Sequence, residues 1–244
     1  TRMIESYVFR RIICALPTNS MNKTFAQFGR RLRKDRYMES VQAELLLQTS
    51  YRRFPTDEEF KREIQTRDLY NFRNRSYWLR RFENYGRKER VALDEYTIEH
   101  IMPQTLSVEW KHDLGANWKD AHEKWLHTLG NLTLTGYNSE YRNHPFATKR
   151  DMEGGFRLSP LRVNQISFSV DDQLHSLGSI DSWNAGNIQA RAMALSGRAL
   201  DVWGRHELDE QTLKSYQNKD NGLAFYSIDD HPHLKSEIVG KLFE

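Results

Sequence analysis

Two short runs, the β-branched and aromatic Tyr96-Thr97-Ile98-Glu99-His100-Ile101 and then Leu132-Thr133-Leu134-Thr135, read as strands in a chain whose other apolar residues mostly recur at helical spacing. Pro103 stops the first run, since proline cannot donate to a strand ladder. Trp118 to His127 reads as a helix between the two runs. The segment from His144 to Arg150 reads as another, with Pro145 in its first turn. Strand, returning strand and helix make a ββα unit, so the expected fold is mainly α around a small ββα core.

The rest of the chain divides around that unit. Ile4, Tyr7, Val8, Ile12 and Leu16 share a helical stripe ending before Pro17, with Arg10 and Arg11 off the stripe. Thr56 and Glu59 form a capping box that predicts a helix start after Pro55. Tyr70, Tyr77, Trp78, Phe82 and Tyr85 read as the core stripe of a further helix, with arginines on its exposed face. Residues 1–90 are therefore expected to form a helical region that packs on the core, and residues 91–153 to form the core itself. Residues 154–206 should hold an irregular connection or short strands, then a long helix capped at Asp181-Ser182 with Ile188, Ala192, Leu195, Ala199 and Trp203 on one face. Residues 207–244 read as a polar tail or the start of a further segment.

Charge separates the same regions. Residues 1–90 carry 21 Lys and Arg against 11 Asp and Glu, whereas the whole 244-residue chain is only +3. A basic half fits a polyanion-facing surface, because neutralised phosphates release counterions. For any single arginine, plain solvation is the competing explanation. Cys14 is the one cysteine, which rules out an intrachain disulfide and paired cysteine clamps for zinc and fits a reducing cytoplasm. The chain has no apolar run of the roughly 18 residues needed to cross a bilayer, so no membrane role is expected. Thr1 in place of an initiator methionine leads us to expect a piece of a longer protein.

The ββα unit concentrates residues suited to phosphodiester hydrolysis, which needs an activated water and charge compensation at phosphorus. His100 is the expected general base, since a neutral imidazole accepts a proton near neutral pH. Glu99 is the expected metal ligand and Asn138 the second, because a hard cation such as Mg²⁺ needs only one or two protein oxygens. Neighbouring strand residues point to opposite faces, so a bend near Pro103 must let Glu99 and His100 serve one phosphate. Asn131 is assigned with the catalytic set, as the residue that bonds backbone across the loop and orients His100. Ordinary edge polarity for Glu99-His100 and turn chemistry for the asparagines are the plain alternatives. Arg142, His144, Lys149 and Arg150 follow the second strand, where a ββα helix would meet nucleic-acid phosphates. The histidines at 112, 122, 127, 231 and 233 lack companions at metal spacing and read as surface or capping residues.

Glu99-His100-Ile101-Met102-Pro103-Gln104, Leu129-Gly130-Asn131-Leu132-Thr133-Leu134, Asn138 and the Asn143 to Lys149 segment resemble the HNH-type nuclease domain of GmrSD-like and SspE-like bacterial defence proteins. Upstream, Ile4 to Tyr7, Arg10 to Cys14 and Asn22-Lys23 with Phe25 resemble the helices that precede that domain. Downstream, Trp183, Ile188, Arg191 and Leu200 to Trp203 resemble its end. The resemblance spans about residues 4–204, within the usual few residues at each edge. It implies a ββα-metal (HNH, His-Me finger) core that nicks or cleaves phage DNA, and a ParB-like NTPase domain preceding this segment. The chain carries Glu99 where many HNH nucleases carry aspartate. Asn138 in the third position favours Mg²⁺ or Mn²⁺ over a softer metal. A non-catalytic DNA-binding or domain-docking module is the alternative, and an RNA substrate is opposed only by the resemblance.

Overall fold

The computed structural model describes residues 2–19, 21–73 and 75–217. The chain forms two compact units, Lys61–Val202 and a second made of Thr1–Phe60 with the chain from Trp203 onward. The division falls at Phe60, and not at residue 90 as the helical pattern implied. The reason lies in α5 (Arg75–Asn84), whose Glu83 carboxylate accepts from the backbone N–H groups of Arg162 and Val163 at 3.0 and 2.9 Å and so belongs with the strands.

In the unit containing the N-terminus, α1 (Arg2–Ile13), α2 (Met21–Phe28) and α3 (Tyr37–Leu46) bury Tyr7, Phe28, Val41 and Leu45 together with Leu32 and Phe54. Arg10 and Arg11, expected off the apolar stripe, are fully buried. Arg10 pairs with Asp57 at 2.5 Å, donates to the Trp203 carbonyl and lies 4.7 Å over the Phe60 ring. Arg11 donates to the carbonyls of Tyr51 and Pro17. A planar guanidinium on a long apolar stem can satisfy such acceptors from inside, which a hydropathy stripe does not register. These two cations are thus unavailable to an external polyanion. At the start of α4 (Asp57–Thr66), Thr56 Oγ1 accepts from the Glu59 N–H, as the capping box requires, while the Glu59 carboxylate pairs with Arg53. The last helix of this unit among the described residues is α12 (Glu210–Gln217), and residues 218–244 lie outside the described residues.

The second unit holds β1 (Thr97–His100) antiparallel to β2 (Leu132–Thr135), with Glu99 opposite Thr133 and His100 opposite Leu132. Helices α6 (Val108–Leu114) and α7 (Trp118–Trp125) fill the connection between the strands. After β2 come α8 (Asn138–Tyr141), α9 (Phe146–Asp151) and α10 (Arg162–Gln165). A small hairpin follows, β3 (Phe168–Val170) with β4 (Gln173–His175), and then α11 (Ala185–Val202). The architecture is mainly helical with two small two-stranded sheets among the described residues. Trp110, Trp125, Phe146, Phe156, Trp183 and Ile188 are in its core, and Phe146 stacks on Trp183 at 5.4 Å. No helix among the described residues is long and apolar enough to cross a membrane.

Helix α11 shows how β2 is held. Its buried face carries Ile188, Ala192, Leu195 and Ala199 as the periodicity predicts, but its cap is Asn184, which accepts from the Asn187 N–H at 3.1 Å. Asp181 instead bonds Arg150. The helix approaches so closely that a Cβ on Gly130 would lie 2.0 Å from the Ile188 carbonyl oxygen, so only glycine fits there. One turn on, the fully buried Arg191 donates to the carbonyls of Gly130 (2.7 Å), Leu132 (3.1 Å) and Val163 (2.9 Å). Burial pushes its pKa down to about 9, which leaves the cation intact at neutral pH. Replacing it strands three carbonyls, each worth about 1–3 kcal/mol when left unsatisfied, offset by removal of a buried charge. Arg191→Met should therefore lower the thermal transition by roughly 5 °C or more, and Arg191→Lys should recover only part of that. Differential scanning calorimetry showing an unchanged midpoint for the methionine variant would contradict the clamp.

Candidate active site

Alternation along β1 sends its last two side chains to different partners. Glu99 turns toward α9, where its Oε1 meets Lys149 Nζ at 2.5 Å, and His100 turns toward the chain before β2, where its Nε2 lies 3.0 Å from His127 Nδ1. Both residues are nevertheless exposed to one cavity of about 360 Å³, lined also by Tyr70, Asn138, Arg142 and Asn143. The cavity reaches both because β1 ends at His100 and the chain bends at Ile101 and Met102.

That bend is made by Asn131. Its Oδ1 accepts from the Met102 N–H (2.8 Å) and the Trp183 indole (3.2 Å), and its Nδ2 donates to the carbonyls of Met102 and Leu126. All four hydrogen-bonding positions of the amide are used and the residue is fully buried. Asn131 does not line the cavity; it bonds the backbone across the loop, just past His100.

The electrostatics of the pair on β1 follow from burial. Burial raises the Glu99 pKa, with the Lys149 ammonium opposing, and burial lowers that of Lys149. Lys149 also donates to the carbonyls of His100 (3.1 Å) and Ile101 (3.2 Å), so its three protons meet three oxygens. Burial first and the neighbouring His127 second hold His100 down to about 3, so its ring is neutral at neutral pH. An approaching phosphate anion acts in the opposite direction on that ring.

Asn138 is exposed at the start of α8 and donates through Nδ2 to Thr97 Oγ1 and the Ile98 carbonyl, both at 3.0 Å. A carbonyl only accepts, which fixes the amide with Nδ2 toward the Ile98 carbonyl and leaves Oδ1 without a donor among the described residues. Among the described residues no group of three or more His, Cys, Asp or Glu side chains is placed to hold a metal ion. The Glu99 carboxylate, which already accepts from Lys149, and the Asn138 amide oxygen border one open cavity, and oxygens of these types suit a hard cation that keeps most of its ligands as water and phosphate. Glu99 and Asn138 would hold it.

The basic residues after β2 separate. Arg142 lines the cavity, its backbone at φ 43° and ψ −133°, a conformation that strains any residue with a Cβ. His144 is exposed outside the cavity lining, and its carbonyl accepts from the Trp110 indole. Lys149 and Arg150, expected on phosphates, turn inward. Lys149 is fully buried on Glu99, and Arg150 bonds Asp151, Asp181 and the Ile180 carbonyl. Position 149 lies on the face of α9 that packs against β1, and a six-residue helix is too short for periodicity to reveal its buried face. The sequence reading also missed His127, assigned to the surface, and Tyr70, assigned to a helix that in fact begins at Arg75. Neither has a local signal, since each reaches His100 through a turn.

Two outcomes follow. Lys149→Met leaves Glu99 buried without its counter-charge and should cost about 3–5 kcal/mol in denaturant unfolding, with Glu99→Gln added in the same chain recovering part of the loss. Additive single-variant effects would contradict the pairing. Arg142→Gly releases backbone strain of about 1–3 kcal/mol, less about 0.5–1 kcal/mol of glycine entropy. It should leave the melting midpoint in differential scanning calorimetry unchanged or higher; a lower midpoint would contradict the strain at position 142.

No curated protein and no solved structure matches the chain. Residues 54–198 match the family model described as GmrSD restriction endonucleases, C-terminal domain. The match begins later than the resemblance read from residue 4, takes in every residue that lines the cavity, and spans more than half of the sequence. The chain belongs to the family of GmrSD restriction endonuclease C-terminal domains.

Proposed function

We propose that this chain is an HNH-type, metal-dependent nuclease domain that nicks or cleaves phage DNA in the bacterial cytoplasm. Family membership implies a restriction-type nuclease with DNA as its substrate. The observation that carries the finer reading is the convergence of Glu99, His100, Asn138 and Arg142 on one cavity beside the β1–β2 pair, with α8 and α9 following as the helical part of a ββα-metal core. In this reading neutral His100 takes the proton of the attacking water. Glu99, anchored from behind by Lys149, and Asn138 through Oδ1 hold Mg²⁺ or Mn²⁺, and Arg142 meets the phosphate charge. A bound cation supplies Lewis-acid stabilisation of charge on the phosphoryl oxygens. The family description, a C-terminal domain, supports a partner domain ahead of this segment, which we take to be the ParB-like NTPase.

The alternative, a non-catalytic DNA-binding or docking module, draws on the burial of Glu99 against Lys149. Supercoiled plasmid incubated with the full chain separates the two. Nicking with Mg²⁺ or Mn²⁺ and none in EDTA is expected, and His100→Ala should reduce it by about 10²-fold or more with folding retained. Retention of plasmid without scission in any metal would favour the binding module, and undiminished nicking by His100→Ala would remove the base.

A further inference from the structure

His100 does not face the cavity as an isolated ring. Its Nε2 lies 3.0 Å from His127 Nδ1, and the Tyr70 ring is packed on both, stacked on His127 at 5.2 Å and 9° and edge-on to His100 at 4.4 Å. The cluster is tied to its own backbone. The Leu69 N–H donates to the His127 carbonyl at 2.9 Å, and the Asp68 carboxylate accepts from the N–H groups of Tyr70 and Asn71. Tyr70 lines the cavity beside His100, whereas His127 does not.

Two imidazole nitrogens that share a hydrogen bond must divide the roles, one donating and the other accepting. If His127 Nδ1 carries the hydrogen, His100 Nε2 accepts it and the proton of His100 sits on Nδ1. Its two nitrogens are then both engaged and no lone pair is left to take a proton from water. If His100 Nε2 carries the hydrogen, its Nδ1 keeps a free lone pair, and that nitrogen has no hydrogen-bond partner among the described residues. Only the second arrangement is compatible with His100 as a base.

We propose that His127 is a positioning residue that accepts the Nε2–H of His100, fixes His100 in the Nε2-protonated tautomer, and leaves Nδ1 as the basic nitrogen. Tyr70 clamps the two rings in the required orientation. The assignment rests on the reading of His100 as the general base and names the atom that does the work. It also places the partner that selects the tautomer on a different segment from the cavity-lining residues of β1 and α8.

Histidine-specific ¹⁵N spectra of the full chain at pH 7.5, without metal or DNA, test the assignment directly, with His100→Gln and His127→Asn spectra identifying the signals. A protonated Nε2 and unprotonated Nδ1 on His100 are expected; a protonated Nδ1 overturns the proposal. Plasmid nicking gives the second readout. His127→Leu, which removes the acceptor, should lower kcat about tenfold or more with KM unchanged, and His127→Asn, whose amide oxygen can stand near the Nδ1 position, should restore most of it. Unchanged kcat in His127→Leu, or equal loss in both variants, would overturn the positioning role. An inactive wild-type chain that still shows the Nε2-protonated tautomer would defeat the nuclease reading and leave the tautomer assignment standing.

Discussion

The side-chain amide of Asn131 is the joint on which the site hangs. By holding both the N–H and the carbonyl of Met102, together with the Leu126 carbonyl and the Trp183 indole, it ends β1 at His100 and turns the chain into the core. Each bond is made where water cannot replace it, so the loss of any one leaves a buried group unpaired. Arg191 secures the same loop from the other side through the Gly130 and Leu132 carbonyls, and the absence of a side chain on Gly130 lets α11 come close enough for it to do so. Asn131 and Arg191 are both fully buried.

The bend at the end of β1 lets two side chains with opposite orientations border one space. Strand alternation alone would separate Glu99 from His100, and their partners are indeed on different segments, Lys149 on α9 and His127 ahead of β2. Because the strand stops, the cavity wraps its end and reaches both. Lys149 has a double effect here. It compensates the buried carboxylate, and by donating to the His100 and Ile101 carbonyls it holds the backbone at the point where the strand turns. In the proposed site, these supporting hydrogen bonds would orient Glu99 toward a bound cation.

Much of this arrangement was legible because it is local. The strands at 97–100 and 132–135, the stop at Pro103, the half capping box at Thr56 and the apolar face of α11 each follow from a few neighbouring residues. Glu99, His100, Asn138 and Arg142 could be proposed for one site because β1, the turn after β2 and α8 bring them together over a short path. What pattern could not deliver was the direction in which long basic side chains fold back. Arg10, Arg11, Lys149 and Arg150 look like surface charge by hydropathy, yet each finds carboxylates or carbonyls inside. His127 and Tyr70 were missed for the related reason that their partner is non-local, and nothing in the spacing of residues 70, 100 and 127 marks them as neighbours.

The central claim is that one cavity assembles a base and a cation-holding pair on a single phosphate. Anomalous diffraction from crystals of the full chain grown with Mn²⁺ tests it most directly. The account predicts one strong peak in the cavity within bonding distance of a Glu99 carboxylate oxygen and Asn138 Oδ1, with the His100 ring facing the same space. A cavity without a peak while Glu99 stays closed on Lys149, or manganese bound only to surface carboxylates, would contradict it.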